Sequence, residues 1–103
     1  MTNLTIYPDS ILTEAQKVIY GDREQTYGAP DRNLQIIASF WSTYLQYDVT
    51  VDDVCNMMIL LKVARLKNSP THHDSQVDIC GYAALMERVQ NFRKENTPTT
   101  KES

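Results

Sequence analysis

Apolar residues recur at helical spacing along most of this chain, and no segment shows the alternation that a half-buried strand requires. The pattern occupies four segments. They run from Ile11 to about Tyr20, from near Pro30 to Leu45, from Thr50 to about Asn68 and from about His72 to Lys94. A chain of 103 residues has room for one modest core. We therefore predict an all-α fold, an antiparallel bundle of about four helices.

The ends of the chain carry little apolar sequence. Residues 1–103 form one predicted domain with an ordered core of about 10–94, whereas residues 96–103 are polar and predicted to be disordered. The first eight residues lack the basic start and apolar core of a signal peptide, and no apolar run reaches the roughly 18 residues of a membrane span. The sequence thus predicts a cytoplasmic protein with no membrane partner.

The charges are spread along the chain. Ten basic and 13 acidic residues give a formal net charge of −3. A protein that binds duplex nucleic acid usually concentrates basic residues on one face. Duplex nucleic acid is therefore not an expected partner, whereas a small anionic ligand is still compatible with local Lys and Arg residues.

Five acidic or amide side chains interrupt the apolar pattern of the third and fourth helices: Asp52, Asp53, Asn56, Asp74 and Asp78. An ionised carboxylate buried without a partner is costly, so these residues either serve helix ends or bind a cation. Asp74 and Asp78 are four residues apart and share one helix face, and hard oxygen ligands suit Mg²⁺ or Mn²⁺. The alternative is that the first-turn acids, Asp52, Asp53 and Asp74, only cap or complement the helix dipole.

Basic residues lie further along the same two helices. Lys62 and Arg65 either bind phosphate or extend their charged ends from an apolar helix into solvent. His72 and His73 form either a solvated helix start or part of a metal site, although adjacent side chains diverge. For each pair of residues, the sequence leaves the two interpretations open.

The segment between the first two helices combines Arg23, Tyr27, Gly28 and Pro30, with Asn33 at the start of the next helix. A guanidinium, a ring face and free backbone N–H groups together can bind a phosphate or a base. A simple turn whose Arg pairs with a nearby acid explains the same residues equally well.

The second helix is unusually aromatic, with Phe40, Trp41, Tyr44 and Tyr47. One stripe against a small core needs fewer aromatic residues. The excess favours a homo-oligomeric interface, with simple core packing as the alternative.

Three runs of residues resemble a small domain family of unknown function that is common in bacteriophage genomes. The runs are D-R-x-x-x-Y-G-x-P-x-x-N at 22–33, D-V-x-x-M-M-x-L-L-K-x-A-R-L at 53–66 and H-D-x-x-x-D-x-x-G-Y-A-A at 73–84. The resemblance spans roughly residues 11–89. That family is similar in layout to the all-α MazG-like nucleoside triphosphate pyrophosphohydrolases, in which E-E-x-x-E on one helix and E-x-x-D on the next bind Mg²⁺ around a nucleotide's phosphates.

The resemblance implies a site on the third and fourth helices. Asp52-Asp53-x-x-Asn56 stands where the first acidic motif falls, and Ser75-x-x-Asp78 where the second falls, with neutral Asn56 and Ser75 in place of charged residues. The implied ligands of Mg²⁺ or Mn²⁺ are Asp53, Asn56, Asp74 and Asp78, and the implied catalytic residues are Asp53 and Asp78. The implied substrate-binding residues are Arg23, Tyr27, Asn33, Lys62, Arg65 and Tyr82.

Three functions follow as hypotheses. The first is MazG-like, Mg-dependent cleavage of a nucleotide between its α- and β-phosphates, with sites near the subunit interface of a dimer or tetramer. The second is a phage protein that sequesters a nucleotide without turnover, which the missing acids favour. The third is a homo-oligomeric interaction protein whose polar residues are caps and interhelical hydrogen bonds.

Overall fold

Four helices make up the part of the chain that the structure, a computed structural model, describes: residues 10–20 and 32–95. They are α1 (Ile11–Tyr20), α2 (Arg32–Leu45), α3 (Val51–Asn68) and α4 (His73–Glu95). These residues include no strand, so the predicted all-α fold with four helices is confirmed. The predicted loop at 22–30 and the polar tail at 96–103 lie outside the described residues.

The helices pack in a spatial order that differs from their order in the chain. Within the described residues α1 packs on α4, α4 packs on α3, and α3 packs on α2. Their shared core is made of apolar side chains with little or no exposure: Ile19, Leu34, Ala38, Val51, Val54, Cys55, Leu85 and Val89. Burying such side chains is the main favourable contribution to folding. Each of the four helices contributes to this core.

The start of α3 is fixed by a capping box. The Thr50 hydroxyl accepts a hydrogen bond from the Asp53 backbone N–H at 3.0 Å, and the Asp53 carboxylate accepts one from the Thr50 backbone N–H at 3.0 Å. Two backbone donors that the helix leaves unpaired are thereby satisfied. The sequence predicted this cap, and the helix ends before Ser69 and Pro70 as expected.

The connection between α2 and α3 is short and internally bonded. Gln46 follows α2 with a φ of 55°, and the Tyr47 N–H donates to the Ser42 carbonyl at 3.2 Å, which closes the helix end. The Ser42 hydroxyl in turn accepts a hydrogen bond from the Val49 N–H at 2.8 Å and donates to the Val49 carbonyl at 3.2 Å. These bonds fold α3 back beside α2 as a helical hairpin.

The residues of α3 that are buried in the core all lie in its N-terminal half. Val51, Val54 and Cys55 lie in the core, whereas Leu60 and Leu61 in the second half are exposed. The burial of Cys55 raises the pKa of its thiol to about 11. No helix in the described part of the chain is long and apolar enough to cross a membrane.

Removing the α3 cap should destabilise the fold. We expect Thr50→Ala to lower the free energy of unfolding by about 1 kcal/mol, because the hydroxyl that accepts from Asp53 is lost. Urea denaturation followed by circular dichroism measures the change. Thr43→Ala is the matched control, since the exposed Thr43 hydroxyl bonds only to a carbonyl within α2. Equal losses in the two variants would contradict a role for the cap.

Candidate functional site

An ion pair joins the second half of α3 to the first half of α4. The Lys62 ammonium lies 3.0 Å from the Asp78 carboxylate, with Lys62 mostly buried and Asp78 partly exposed. The pair satisfies a carboxylate that lies a full turn inside α4. The pair was not predicted from the sequence, because it depends on how α3 and α4 align.

Asp78 also lies at the edge of a small cleft between α1 and α4. Its lining is mainly apolar: Ala15, Val18 and Ile19 from α1, and Val77, Asp78, Gly81, Tyr82 and Leu85 from α4. A Cβ at Gly81 would lie 3.7 Å from the Ile19 side chain, an ordinary van der Waals distance, so α1 packs against α4 at this position. The cleft thus combines an apolar surface, a phenol and one carboxylate that Lys62 orients.

A second polar group caps the start of α4. His72 Nδ1 accepts a hydrogen bond from the Ser75 backbone N–H at 3.2 Å and lies 2.7 Å from the fully buried Ser75 hydroxyl. Its other nitrogen lies 3.5 Å from the exposed guanidinium of Arg65. Of the two interpretations of His72, the helix-start one matches this geometry. Ser75, which the resemblance placed in an acidic motif, acts here as a capping partner.

His73 connects α4 to α1. Its Nε2 lies 2.7 Å from the Glu14 carboxylate, and this hydrogen bond, helped by the charges of Glu14 and Asp74, raises the pKa of His73 above its usual value. The contact links residues that are 59 positions apart. The sequence pattern gave no sign of it, because the partner lies on another helix.

The predicted metal ligands on α3 do not reach those on α4. Asp53 completes the capping box, and its neighbour Asp52 lies 3.1 Å from Arg93 near the far end of α4. Asp53 precedes Lys62 by nine residues, which is a rise of about 13.5 Å along the helix. Lys62 contacts Asp78, so Asp53 lies about as far from Asp78 along the bundle as it does from Lys62. The two carboxylates are therefore too far apart to bind one cation between α3 and α4 of the same chain.

The other two predicted ligands are exposed. Asn56 is exposed on α3, and Asp74 is exposed in the first turn of α4. Among the described residues no three His, Cys, Asp or Glu side chains are grouped so as to hold a metal ion. The Mg²⁺ or Mn²⁺ site predicted on these residues stays a prediction.

The predicted substrate-binding residues fall into two groups. Lys62 pairs with Asp78, and Tyr82 lines the same cleft as Asp78, whereas Arg65 lies beside His72 at the start of α4. Asn33 is exposed on the first turn of α2. Arg23 and Tyr27 lie outside the described residues.

Chemically, the Asp78 region offers several groups that can contact a ligand. The Asp78 carboxylate, which Lys62 holds in place, can accept hydrogen bonds from amine or hydroxyl groups. The Tyr82 phenol and the apolar cleft can accommodate a flat ring, and the exposed Arg65 guanidinium can bind phosphate. Ligand sites between helices commonly have this composition of apolar lining with a few convergent polar groups.

Comparison with known proteins gives a family and two relatives. The model of a family described as "Domain of unknown function (DUF6378)" matches residues 10–90. The "Gene 55 protein" of Mycobacterium phage D29 is 43% identical over 90 residues, which cover 87% of this chain and 60% of the relative. The "Gene 55 protein" of Mycobacterium phage L5 is also 43% identical over 90 residues, covering 86% of this chain and 58% of the relative. No solved structure matches.

The relatives are longer than the matched region, so this chain spans about three fifths of their length. The predicted resemblance to a domain family of unknown function found in bacteriophages is confirmed by these matches. The further likeness to MazG-like pyrophosphohydrolases stays a prediction.

The His73–Glu14 contact should make stability depend on pH. The pKa of His73 is higher in the folded protein than in the unfolded chain, so its contribution is fully present below the ordinary His pKa of about 6.5 and is lost as pH rises through the folded-state value. We expect Glu14→Gln to lower the melting temperature at pH 5.5 and to have no effect at pH 9. Glu87→Gln, on the exposed side of α4, is the control. A Glu14→Gln effect that stays constant with pH would contradict the assignment.

Proposed function

This chain belongs to the DUF6378 family and has relatives in mycobacteriophages. From its own side chains we propose that it binds a nucleotide and holds it without turnover. The observation that carries the proposal is the Lys62–Asp78 pair at the edge of the apolar α1–α4 cleft. The same proposal includes action in the host cytoplasm, where free nucleotides are present.

The base and sugar would occupy the cleft. The ring would lie against Tyr82 and the apolar side chains of α1, and Asp78 would accept hydrogen bonds from an exocyclic amine or from sugar hydroxyls. Lys62 holds the Asp78 carboxylate at 3.0 Å before any ligand arrives. A receptor group fixed in advance loses less entropy when the ligand binds.

The phosphates would extend toward Arg65. Its guanidinium is exposed, and a planar fork of N–H donors matches phosphate oxygens in pairs. Arg23 and Tyr27, predicted from the sequence to contact phosphate and base, belong to the same proposal. Two further acids at this end of α4, Glu14 and Asp74, interact with His73.

Binding without turnover is favoured over hydrolysis by the state of Asp78. An ammonium ion 3.0 Å away already neutralises this carboxylate, and a Mg²⁺ ion would have to displace it. MazG-like pyrophosphohydrolysis is the second candidate. It is favoured by Asp74 and Asp78, which are one turn apart on the N-terminal half of α4.

Thermal shift and calorimetry with ribo- and deoxyribonucleoside triphosphates, each with and without Mg²⁺, test the proposal. We expect at least one nucleotide to raise the melting temperature at 1 mM, because a ligand that binds only the folded state stabilises it. We expect Lys62→Met to weaken the binding of that nucleotide about tenfold, because Asp78 is no longer held in place before the ligand arrives. Lys67→Met, an exposed lysine further along α3, is the matched control and should bind normally.

Product analysis separates the candidates. Intact nucleotide recovered after long incubation with Mg²⁺ supports binding without turnover. Pyrophosphate released by the wild type and abolished in Asp78→Asn would replace it with the hydrolase. If no nucleotide shifts the melting temperature, both fail and the homo-oligomeric interaction protein is favoured.

A further inference from the structure

One face of the α2–α3 hairpin is apolar and exposed. On α2 the stripe is Ile36, Phe40 and Tyr44, at steps of four residues, with 48%, 69% and 86% of each residue exposed. Phe40 and Tyr44 alone expose on the order of 300 Å². Monomeric soluble proteins rarely leave aromatic side chains this open in one row.

A second stripe follows α3. Met57, Leu60, Leu61 and Ala64 recur at i, i+3, i+4 and i+7, and Leu60 is 65% exposed. At about 100° per residue this stripe is centred roughly 125° from the buried residues Val51, Val54 and Cys55. It also faces away from Lys62, which touches α4.

Both stripes lie on the same side of the hairpin. The α2 stripe is centred about 140° from buried Leu34 and Ala38, and the rotation from the buried side to the stripe has the same sense along the chain in α2 as in α3. The two helices run in opposite directions, and their buried sides face each other. A rotation of the same sense along each chain therefore turns both stripes to the same side of the hairpin. The large residues of both stripes are exposed, so α4 does not cover this side.

We propose that this face is the interface between two copies of the chain, whose hairpins pack as a four-helix bundle related by a twofold axis. The stripes contain no charged residue, as expected of the centre of an interface. The large side chains named above expose on the order of 600 Å² per copy, and two copies would bury about 1,200 Å², the lower limit of a stable interface.

A second copy suits the face better than the chain's own C-terminal residues. Residues 96–103 read N-T-P-T-T-K-E-S and carry no apolar side chain large enough to cover the stripes. A twofold interface needs only that the surface match itself, which a flat apolar hairpin does. A groove beside Ile36 and Phe40, lined also by Arg32, Gln35 and Ser39, can receive a side chain of the partner.

Light scattering coupled to size exclusion, with sedimentation equilibrium, tests the interface. We expect the wild type to have twice the 11.8 kDa chain mass at micromolar concentration. Leu60→Glu should raise the dimer Kd about 100-fold or more, because a charge would be buried without a partner. Leu12→Glu is the matched control: Leu12 is 69% exposed on α1, away from the face, and its variant should stay dimeric.

A second variant distinguishes a weakened interface from a misfolded protein. Tyr44→Ser should weaken the dimer with unchanged helix content, since Tyr44 makes little contact within one copy. A monomeric wild type, or a dimer that Leu60→Glu and Tyr44→Ser leave intact, would overturn the proposal. Nucleotide binding is measured separately, because the cleft between α1 and α4 does not include this face.

Discussion

The antiparallel packing of α3 on α4 is the constraint on which the other features depend. Val54, Cys55 and Val89 have no exposed surface at this contact, so the two helices are fixed at the end where α1 and α2 also join the core. Ion pairs near both ends of the contact, Asp52–Arg93 and Lys62–Asp78, agree with a single alignment. Close-packed apolar contacts set this alignment, and the partly exposed ion pairs add little energy of their own.

The alignment decides which polar groups meet. It brings Lys62 to Asp78 and Arg65 to His72, and it keeps Asp53 at the opposite end. A sliding of α4 by one turn along α3 would exchange all of these partners. The chemistry of the bundle is therefore a property of the helix register as much as of the residue types.

Local patterns in the sequence were enough to find the helices and some of their ends. Apolar spacing located all four helices, and Thr50 with Asp53 identified a cap that the structure contains. Asp53 illustrates what local patterns miss, since motif spacing grouped it with Asp78. Spacing along one helix says which residues share its face, but the level at which two helices meet depends on loop length and core packing.

The aromatic residues of α2 show the same limit in another form. The sequence left open whether Phe40 and Tyr44 pack in the core or on a partner, because periodicity cannot distinguish two apolar stripes on one helix. Only the positions of the neighbouring helices reveal that these side chains point away from the core.

The placement of α3 also affects how the sequence can change. One side of this helix supplies the core and carries Lys62 toward α4, and another bears the exposed apolar stripe. A substitution on α1 meets one neighbour, whereas a substitution on α3 is limited by several neighbours at once. Substitutions are thus accepted more readily on α1 than on α3.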